Sequence, residues 1–332
     1  MYGARIISTG KYVPDNILSN DDLSNFLDTN DQWISSRTGI EKRRITKGEN
    51  TSDIASKAAI DALNKSNLAI EDIGLIIVAT STPDCYTPST ACIVQNKIKA
   101  VNAVCFDISA ACSGFIYGVT IAKQFIKNGL VKNALVIGAE TLSKILDWND
   151  RSTCVLFGDG AGAVILSQSP KEYIQNTYIG SDGTGNDFLK CNAAKLTLNN
   201  DKLREKISGN EEEDINKYLT MQGKEVFRFA VKVMESSIEK LLEESKLNIE
   251  DIKYIVPHQA NLRIIEHIIK KLKVPREKIY TNLQKYGNTS AASIPIALAE
   301  MDEQNMLNAK DKIIIVGFGA GLTWGSILIE WI

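Results

Sequence analysis

The sequence has no long hydrophobic run, because no apolar stretch approaches the roughly 20 residues of a membrane-spanning helix. Its first residues, MYGARIISTG, lead straight into a strand-like run and do not have the pattern of a signal peptide. We therefore expect a cytoplasmic protein with no membrane partner.

An excess of charge of either sign is also missing, since 38 basic residues face 40 acidic ones and the formal net charge is -2. Nucleic acids and anionic membranes are attracted by a strongly basic protein, so the composition predicts neither as a partner. An acidic partner would have to bind to a local basic patch.

Histidine is scarce, with two in 332 residues, and none of the six cysteines forms a C-x-x-C pair. A zinc site is therefore poorly supported, and we expect no metal. Most of the cysteines lie in apolar or small-residue runs, where reduced cysteines act as small core hydrophobes. That interpretation suits five of the six, and Cys112 needs separate treatment.

An internal repeat organises the chain. NLAIEDIGLIIVAT (67–80) is similar to KLNIEDIKYIVPHQ (246–259) at an offset of 179 residues. The same offset takes NALVIGAE (133–140) onto KIIIVGFG (312–319). Two strands kept at one spacing indicate duplication of a whole αβ unit.

The repeated unit has the composition of an α/β protein. Continuous apolar runs such as LIIVA and ALVIG predict buried, mostly parallel strands, and amphipathic segments at 51–66 and 224–246 predict helices between them. We divide the chain into similar halves at 1–170 and 171–332. The polar, charged stretch 195–217 is predicted to be a solvated loop near the boundary.

Cys112 lies in DISAACSGF (107–115), where a strand-like run gives way to a predicted helix. A cysteine at a helix start is near the positive end of the helix dipole and near free N–H groups, which favour the thiolate and can hold an oxyanion. On position alone, a buried structural cysteine is the more common alternative. The 179-residue offset takes Ser109 onto Asn288 in another small-residue turn, so the two turns can share one site.

His258 follows the second-half strand in YIVPHQANLR, at the kind of strand end where α/β sites form. A loop histidine with satisfied hydrogen bonds is the alternative. His267 is predicted to be a surface residue of an amphipathic helix. GDGAGA (158–163) matches a dinucleotide fingerprint, but the strand-like VILSQSP follows it where a helix is required, so we reject nucleotide binding there.

Seven motifs follow one another along the chain: DQWISSRTGI, STACIVQ, DISAACSGF, DRSTCVLFGDGAGA, VPHQANLRI, YGNTSAAS and GFGAGLTWG. Together they resemble the β-ketoacyl-[acyl carrier protein] synthase III family of the thiolase superfamily. The resemblance implies a five-layer αβαβα fold with two mixed, mostly parallel sheets. It also implies a catalytic triad of Cys112, His258 and Asn288.

The resemblance implies a decarboxylative condensation that begins fatty acid synthesis. Cys112 takes an acyl group from acyl-CoA, a substrate and not a bound cofactor. Malonyl-acyl carrier protein then reacts while His258 and Asn288 donate hydrogen bonds to the enolate. The backbone N–H groups of Cys112 and Ala320 hold the oxyanion.

Further positions follow from the same resemblance, which implies a homodimer. Trp33, Arg37 and Arg151 are expected to bind the nucleotide end of CoA, since an indole stacks on adenine and guanidiniums pair with phosphate. The residues expected to meet the acidic carrier protein are Arg228, Arg263, Lys270 and Lys271. For the two lysines, an ordinary solvated helix face is an equal alternative.

The sequence departs from the family pattern in three places. Thr87 replaces the bulky phenylalanine with which, in acetyl-selective members, the neighbouring subunit closes the acyl pocket. A longer or branched primer is therefore predicted unless Tyr86 refills the space. Ala320 replaces a usual glycine, a mild change because only its N–H is used. The loop 195–217 is longer than typical.

Other functions remain open on the sequence. Related enzymes transfer acyl groups to an alcohol or amine, or build polyketides and quinolones, and a Cys–His–Asn hydrolase would release free acid. A non-catalytic carrier-protein binder would not need the thiol. Retention of both His258 and Asn288 favours condensation, because simple acyl transfer has less need of two enolate donors.

Overall fold

The structure, a computed structural model, describes residues 2–193 and 217–332. Two β-sheets form its centre, with strand orders β1-β7-β6-β4-β5 and β11-β12-β13-β8. The strands of the first sheet are β1 (Gly3–Tyr12), β4 (Leu75–Ala79), β5 (Val104–Ile108), β6 (Asn133–Glu140) and β7 (Gly160–Ser169). Those of the second are β8 (Ile174–Ser181), β11 (Tyr254–Pro257), β12 (Lys312–Gly319) and β13 (Thr323–Glu330). The described residues also form two small strand pairs: β2 (Ile17–Ser19) with β3 (Lys42–Arg44), and β9 (Leu189–Lys190) with β10 (Thr220–Met221).

Both sheets are mixed, as predicted, but fewer of their strands are parallel than expected. β4 runs parallel to β5 and β6, and β11 runs parallel to β12. The β1–β7, β6–β7, β12–β13 and β13–β8 pairs are antiparallel. The prediction that the strands of these mixed sheets are mostly parallel is therefore wrong. A continuous apolar run indicates burial on both faces, and burial alone does not determine strand direction.

The helices complete five layers. α3 and α4 cover the outer face of the first sheet, α5 and α9 lie between the sheets, and α6 and α7 cover the second sheet. This arrangement confirms the αβαβα prediction. The helices of the described residues are α1 (Asn20–Ser24), α2 (Asp31–Thr38), α3 (Thr51–Lys65), α4 (Thr90–Ile98), α5 (Gly114–Lys127), α6 (Gly223–Ser245), α7 (Leu262–Leu272), α8 (Leu283–Tyr286) and α9 (Ser293–Glu303).

The helices form where the hydrophobic pattern predicts them. In α3, small and apolar residues such as Ile54, Ala58 and Ala62 face the first sheet and are fully buried. The Asp53 side chain accepts a hydrogen bond from the Asn50 N–H before the first turn, at 2.8 Å. Among the described residues, no helix has the length and apolar character needed to cross a membrane.

The duplication is visible in the backbone. An offset of 179 residues takes β6 onto β12, and takes the 3-10 turn Ala111–Ser113 onto the 3-10 turn Ser290–Ala292. The order β1-β7-β6-β4 corresponds to β8-β13-β12-β11. The strands of the first sheet end by residue 169, and those of the second begin at residue 174. The division into two domains at 1–170 and 171–332 stays a prediction. Of the charged loop 195–217, all but Lys217 lies outside the described residues.

The two equivalent turns pack against each other at the centre of the molecule. Each contains a non-glycine residue in the left-handed region, Ala111 at φ 47° and Ser290 at φ 49°. A Cβ on Gly138 of β6 would lie 2.1 Å from the Ala291 carbonyl oxygen, and one on Gly319 of β12 would lie 2.8 Å from the Cys112 nitrogen. Contact between the turns therefore requires glycine on both strands.

Gly138→Ala is expected to lower the free energy of unfolding by about 1–3 kcal/mol, because a backbone oxygen lies where the methyl group must go. Urea denaturation followed by circular dichroism measures the change. Gly183→Ala is the control, since a Cβ there meets nothing within 4 Å, and it should change the value by less than about 0.5 kcal/mol. Equal urea midpoints for the two variants would contradict this account of the packing.

Candidate active site

Cys112 lies in the 3-10 turn between β5 and α5, and only 6% of it is exposed. It lines two adjoining cavities. One has a volume of about 160 Å3 and is also lined by His258 and Asn288. The other has a volume of about 420 Å3 and includes apolar side chains such as Leu142. The thiol therefore lies where the two cavities meet.

His258 follows β11, and its backbone N–H donates to the Val316 carbonyl at 2.7 Å. Its Nδ1 lies 2.7 Å from the Ser293 hydroxyl, which can donate or accept and so suits either tautomer of the imidazole. Its Nε2 is buried and has no hydrogen-bond partner among the described residues. Burial lowers the pKa of His258 to about 3, so the ring is neutral at physiological pH.

Asn288 is also buried, and its backbone is held on both sides. Its N–H donates to Leu156 at 2.8 Å, and its carbonyl accepts from Gly158 at 3.0 Å. Its side-chain oxygen accepts from the Ser290 N–H at 2.9 Å. No described residue accepts a hydrogen bond from Nδ2, so the amide has a donor left for a ligand in the cavity.

The Cys112 thiol is neutral in the resting protein. Burial is the largest influence and raises its pKa to about 12; the charge of Glu140 adds to the rise and a hydrogen bond with Ser290 opposes it. The expected lowering of this pKa is therefore wrong. The sulfur lies in a largely apolar enclosure, and desolvation of a thiolate there outweighs the favourable helix dipole.

The three residues predicted to bind CoA form one surface cluster. Trp33 and Arg37 lie one turn apart on α2, and the Arg37 guanidinium is 4.6 Å from the centre of the indole ring. The Arg151 guanidinium is 5.2 Å from the same ring and forms an ion pair with Asp28 at 3.2 Å. An aromatic face and two cations thus lie together.

The residues predicted to meet the carrier protein lie on two packed helices, α6 and α7. Arg228 is exposed and forms an ion pair with Glu225 at 3.0 Å. Arg263 donates to the Ser36 carbonyl at 3.2 Å, beside α2. Lys270 and Lys271 are exposed in the last turn of α7.

An aromatic contact joins the same two helices. His267 lies edge-on to the Phe227 ring at 6.3 Å, a contact that its prediction as a surface residue did not include. Phe227 in turn lines the cavity that holds Cys112 and His258. The basic side chains are therefore on the helices that border this cavity.

Ala320 and Thr87 were both predicted to belong to the substrate site, but only Ala320 lies beside Cys112. Ala320 lines both cavities beside Cys112. Thr87 is exposed and lines neither cavity of its own chain, and Tyr86 beside it is 78% exposed. An effect of Thr87 on the acyl group therefore requires a neighbouring subunit.

Sequence reasoning missed several residues around the thiol. Phe157 and Leu189 line both cavities, and Ser293 holds the imidazole. Ser293 belongs to the YGNTSAAS motif, and at the 179-residue offset it corresponds to Gly114, the first residue of α5. This correspondence is the sequence signal that could have identified Ser293 as a site residue. Within residues 2–193 and 217–332, no group of three or more His, Cys, Asp or Glu residues could hold a metal ion.

A thiol, an imidazole and an amide contributed by both halves of a duplicated αβαβα fold define a condensing enzyme of the thiolase type. The family model for 3-oxoacyl-[acyl-carrier-protein] synthase III matches residues 106–183, and the model for its C-terminal part matches 242–331. The chain belongs to this family, which confirms the family and the acyltransferase class predicted from the sequence.

Individual relatives agree over the whole length. The chain is 62% identical to the β-ketoacyl-[acyl-carrier-protein] synthase III of Clostridium tetani, covering 99% of this chain and 98% of that protein. It is 59% identical to the one from Clostridium novyi, covering 100% of both. The crystal structure of 3-oxoacyl-[acyl-carrier-protein] synthase III from Aquifex aeolicus VF5 matches with a TM-score of 0.91 and 46% identity, covering 99% of this chain and 100% of that one.

The neutral state of His258 can be tested directly by NMR. His267→Gln leaves His258 as the only histidine, and its ring signals should not shift between pH 5 and 8, because its pKa is about 3. Urea-unfolded protein is the control and should titrate near pH 6.5. A titration midpoint between pH 5 and 8 in the folded protein would contradict the buried neutral ring.

Proposed function

We propose that this chain condenses an acyl-CoA primer with malonyl-acyl carrier protein through an acyl-enzyme on Cys112, which initiates fatty acid synthesis. One observation supports this above all. Cys112 lines the same cavity as the unpartnered Nε2 of His258 and the side chain of Asn288. Two donors beside a nucleophile suit an enolate that must form next to an acylated sulfur.

In the loading step, the Cys112 sulfur attacks the thioester carbon of acyl-CoA. Because the thiol is neutral, its proton leaves as the carbon–sulfur bond forms, and the neutral Nε2 of His258 accepts it. His258 then passes the proton to the departing CoA sulfur. The N–H groups of Cys112 and Ala320 stabilise the tetrahedral oxyanion.

In the condensation step, the neutral imidazole takes its other tautomer, in which Nδ1 accepts from the Ser293 hydroxyl and Nε2 carries the proton. Nε2–H of His258 and Nδ2–H of Asn288 then donate to the thioester oxygen of the malonyl group. The carbon–carbon bond to the carboxylate breaks, CO2 leaves, and the electron pair is held as an enolate. The enolate carbon attacks the acyl carbonyl, Cys112 leaves as a thiolate, and the thiolate takes up one proton from solvent. These steps use groups of this chain and no tightly bound cofactor.

The surface clusters suit the two substrates. Trp33, Arg37 and Arg151 offer an aromatic face and two cations for the adenine and phosphates of CoA. The acidic carrier protein would meet Arg228 and Arg263, with Lys270 and Lys271, on the helices that border the cavity.

A homodimer is part of this proposal. β5 is an edge strand of the first sheet, and Val104 on it is 56% exposed, next to Val101 at 72%. An apolar sheet edge suits pairing with the same strand of a second copy. That copy would bring Thr87 to the acyl pocket of its neighbour, where its small side chain leaves room for a larger primer. Six free cysteines suit the cytoplasm.

The function is tested by following Cys112 by mass spectrometry with a panel of acyl-CoAs, and then adding malonyl-acyl carrier protein. We expect an acyl adduct on Cys112 and a β-ketoacyl product, neither of which forms with Cys112→Ala. His258→Ala or Asn288→Ala should slow condensation about 100-fold, as loss of one oxyanion donor does. Free acid as the main product would favour a hydrolase, and activity retained by Cys112→Ala would refute the proposal.

Trp33→Ala is expected to raise KM for acyl-CoA about tenfold and leave kcat nearly unchanged, because the ring binds a part of CoA remote from the reaction. The matched control is an acyl thioester of N-acetylcysteamine, which lacks the nucleotide and should react equally with both proteins. An equal loss with both thioesters would show that Trp33 acts on the fold and not on the nucleotide.

A further inference from the structure

Glu140, the last residue of β6, is a fully buried carboxylate that the steps above do not use. Both of its oxygens lie 3.1 Å from the Ser81 N–H. The hydroxyls of Thr82 and Thr80 donate to it at 2.7 Å and 3.3 Å, and that of Ser290 donates at 3.0 Å. No described lysine or arginine forms an ion pair with it.

Ser290 connects this carboxylate to the nucleophile. Its hydroxyl donates to Glu140 at 3.0 Å. The turn that holds Ser290 packs against the turn that holds Cys112, the two residues line the same cavity, and the Ser290 side chain lowers the pKa of the thiol. Its position is fixed by the bond from its N–H to Asn288. Glu140, Ser290 and Cys112 therefore form a relay of neighbouring polar groups, in which Ser290 contacts the carboxylate and lines the cavity of the thiol.

The Ser290 hydroxyl has one proton, which can point either to Glu140 or to Cys112. When Glu140 is ionised it takes the hydrogen bond from Ser290, so the Ser290 oxygen is free to accept from the Cys112 S–H, which would keep the thiol protonated. When Glu140 is protonated, its O–H donates to Ser290, and the Ser290 proton turns to the sulfur and stabilises a thiolate. Negative charge is thus favoured at one end of the relay at a time.

We propose that Glu140 is a positioning residue that controls, through Ser290, the readiness of Cys112 to give up its proton. The inference rests on the proposed role of Cys112 as the nucleophile. Burial raises the pKa of Glu140 to about 7, so the relay changes state near neutral pH. The groups that face Glu140 are the hydroxyls and amide named above and the thiol, of which the thiol is the titratable one.

A purely structural role for Glu140 makes a different prediction. Its hydrogen bonds tie the end of β6 to the segment after β4 and to the turn that holds Ser290. If that were all, Glu140→Gln would change stability and would alter the reactivity of Cys112 by the same factor at every pH. A pH-dependent factor separates the two roles.

The experiment measures alkylation of Cys112 by iodoacetamide from pH 5.5 to 8.5, followed on the peptide that contains it. We expect Glu140→Gln and the unmodified protein to react equally at pH 5.5, where Glu140 is protonated. At pH 8.5 the variant should react about tenfold faster, which corresponds to one pKa unit. On a Ser290→Ala background the same substitution should change the rate by less than about threefold, because the relay is broken.

Glu300→Gln is the matched control. Glu300 is another buried carboxylate, which accepts from the Tyr286 hydroxyl and the Asn282 amide, and its variant should follow the unmodified protein at every pH. A ratio between Glu140→Gln and the unmodified protein that is constant with pH overturns the inference, as does an undiminished effect on the Ser290→Ala background. Failure of acyl-CoA to load Cys112 would instead refute the proposed function, and the alkylation profile would still report the coupling.

Discussion

The architecture of the site depends on contact between two equivalent turns, Ala111–Ser113 and Ser290–Ala292, at the centre of a duplicated fold. Each turn presses against a strand where a glycine leaves room for backbone, Gly138 for one and Gly319 for the other. Because the turns come from different halves, their contact brings a thiol from one half to an imidazole and an amide from the other. Neither half holds the three groups by itself.

The same contact removes water from the reacting groups. Enclosure leaves both the thiol and the imidazole neutral, with the pKa of Cys112 raised to about 12 and that of His258 lowered to about 3. The resting site therefore contains a neutral thiol and not a thiolate. It provides donors that are already oriented when charge develops on the substrate, and fixed donors in an enclosed site are worth more than donors in water.

Much of this could be predicted from the sequence because duplication leaves a measurable offset. The 179-residue spacing paired the segment of Ser109 with that of Asn288, and the structure brings the corresponding turns together. Strand direction was harder to predict, because the buried apolar runs of the antiparallel strands β7 and β13 are similar to those of parallel strands. Thr87 could not be placed because its predicted role depends on a second copy of the chain.

The ionisation states were beyond the sequence for a different reason. A cysteine before a helix suggests a lowered pKa, but the opposing effect, desolvation, depends on how residues distant in sequence enclose the sulfur. The surroundings of Glu140 could not be predicted from the sequence for the same reason. It ends a strand in the sequence, and only the fold brings it within hydrogen-bonding distance of Ser290, beside the thiol.

A crystal structure of the protein after reaction with an acyl-CoA tests the shared cavity most directly. It should show the acyl group on the Cys112 sulfur, with its carbonyl oxygen about 3 Å from the backbone nitrogens of Cys112 and Ala320. The ring nitrogen Nε2 of His258 and the amide of Asn288 should face that carbonyl side by side. An acyl group on another cysteine, or an imidazole turned away from the sulfur, would contradict the account.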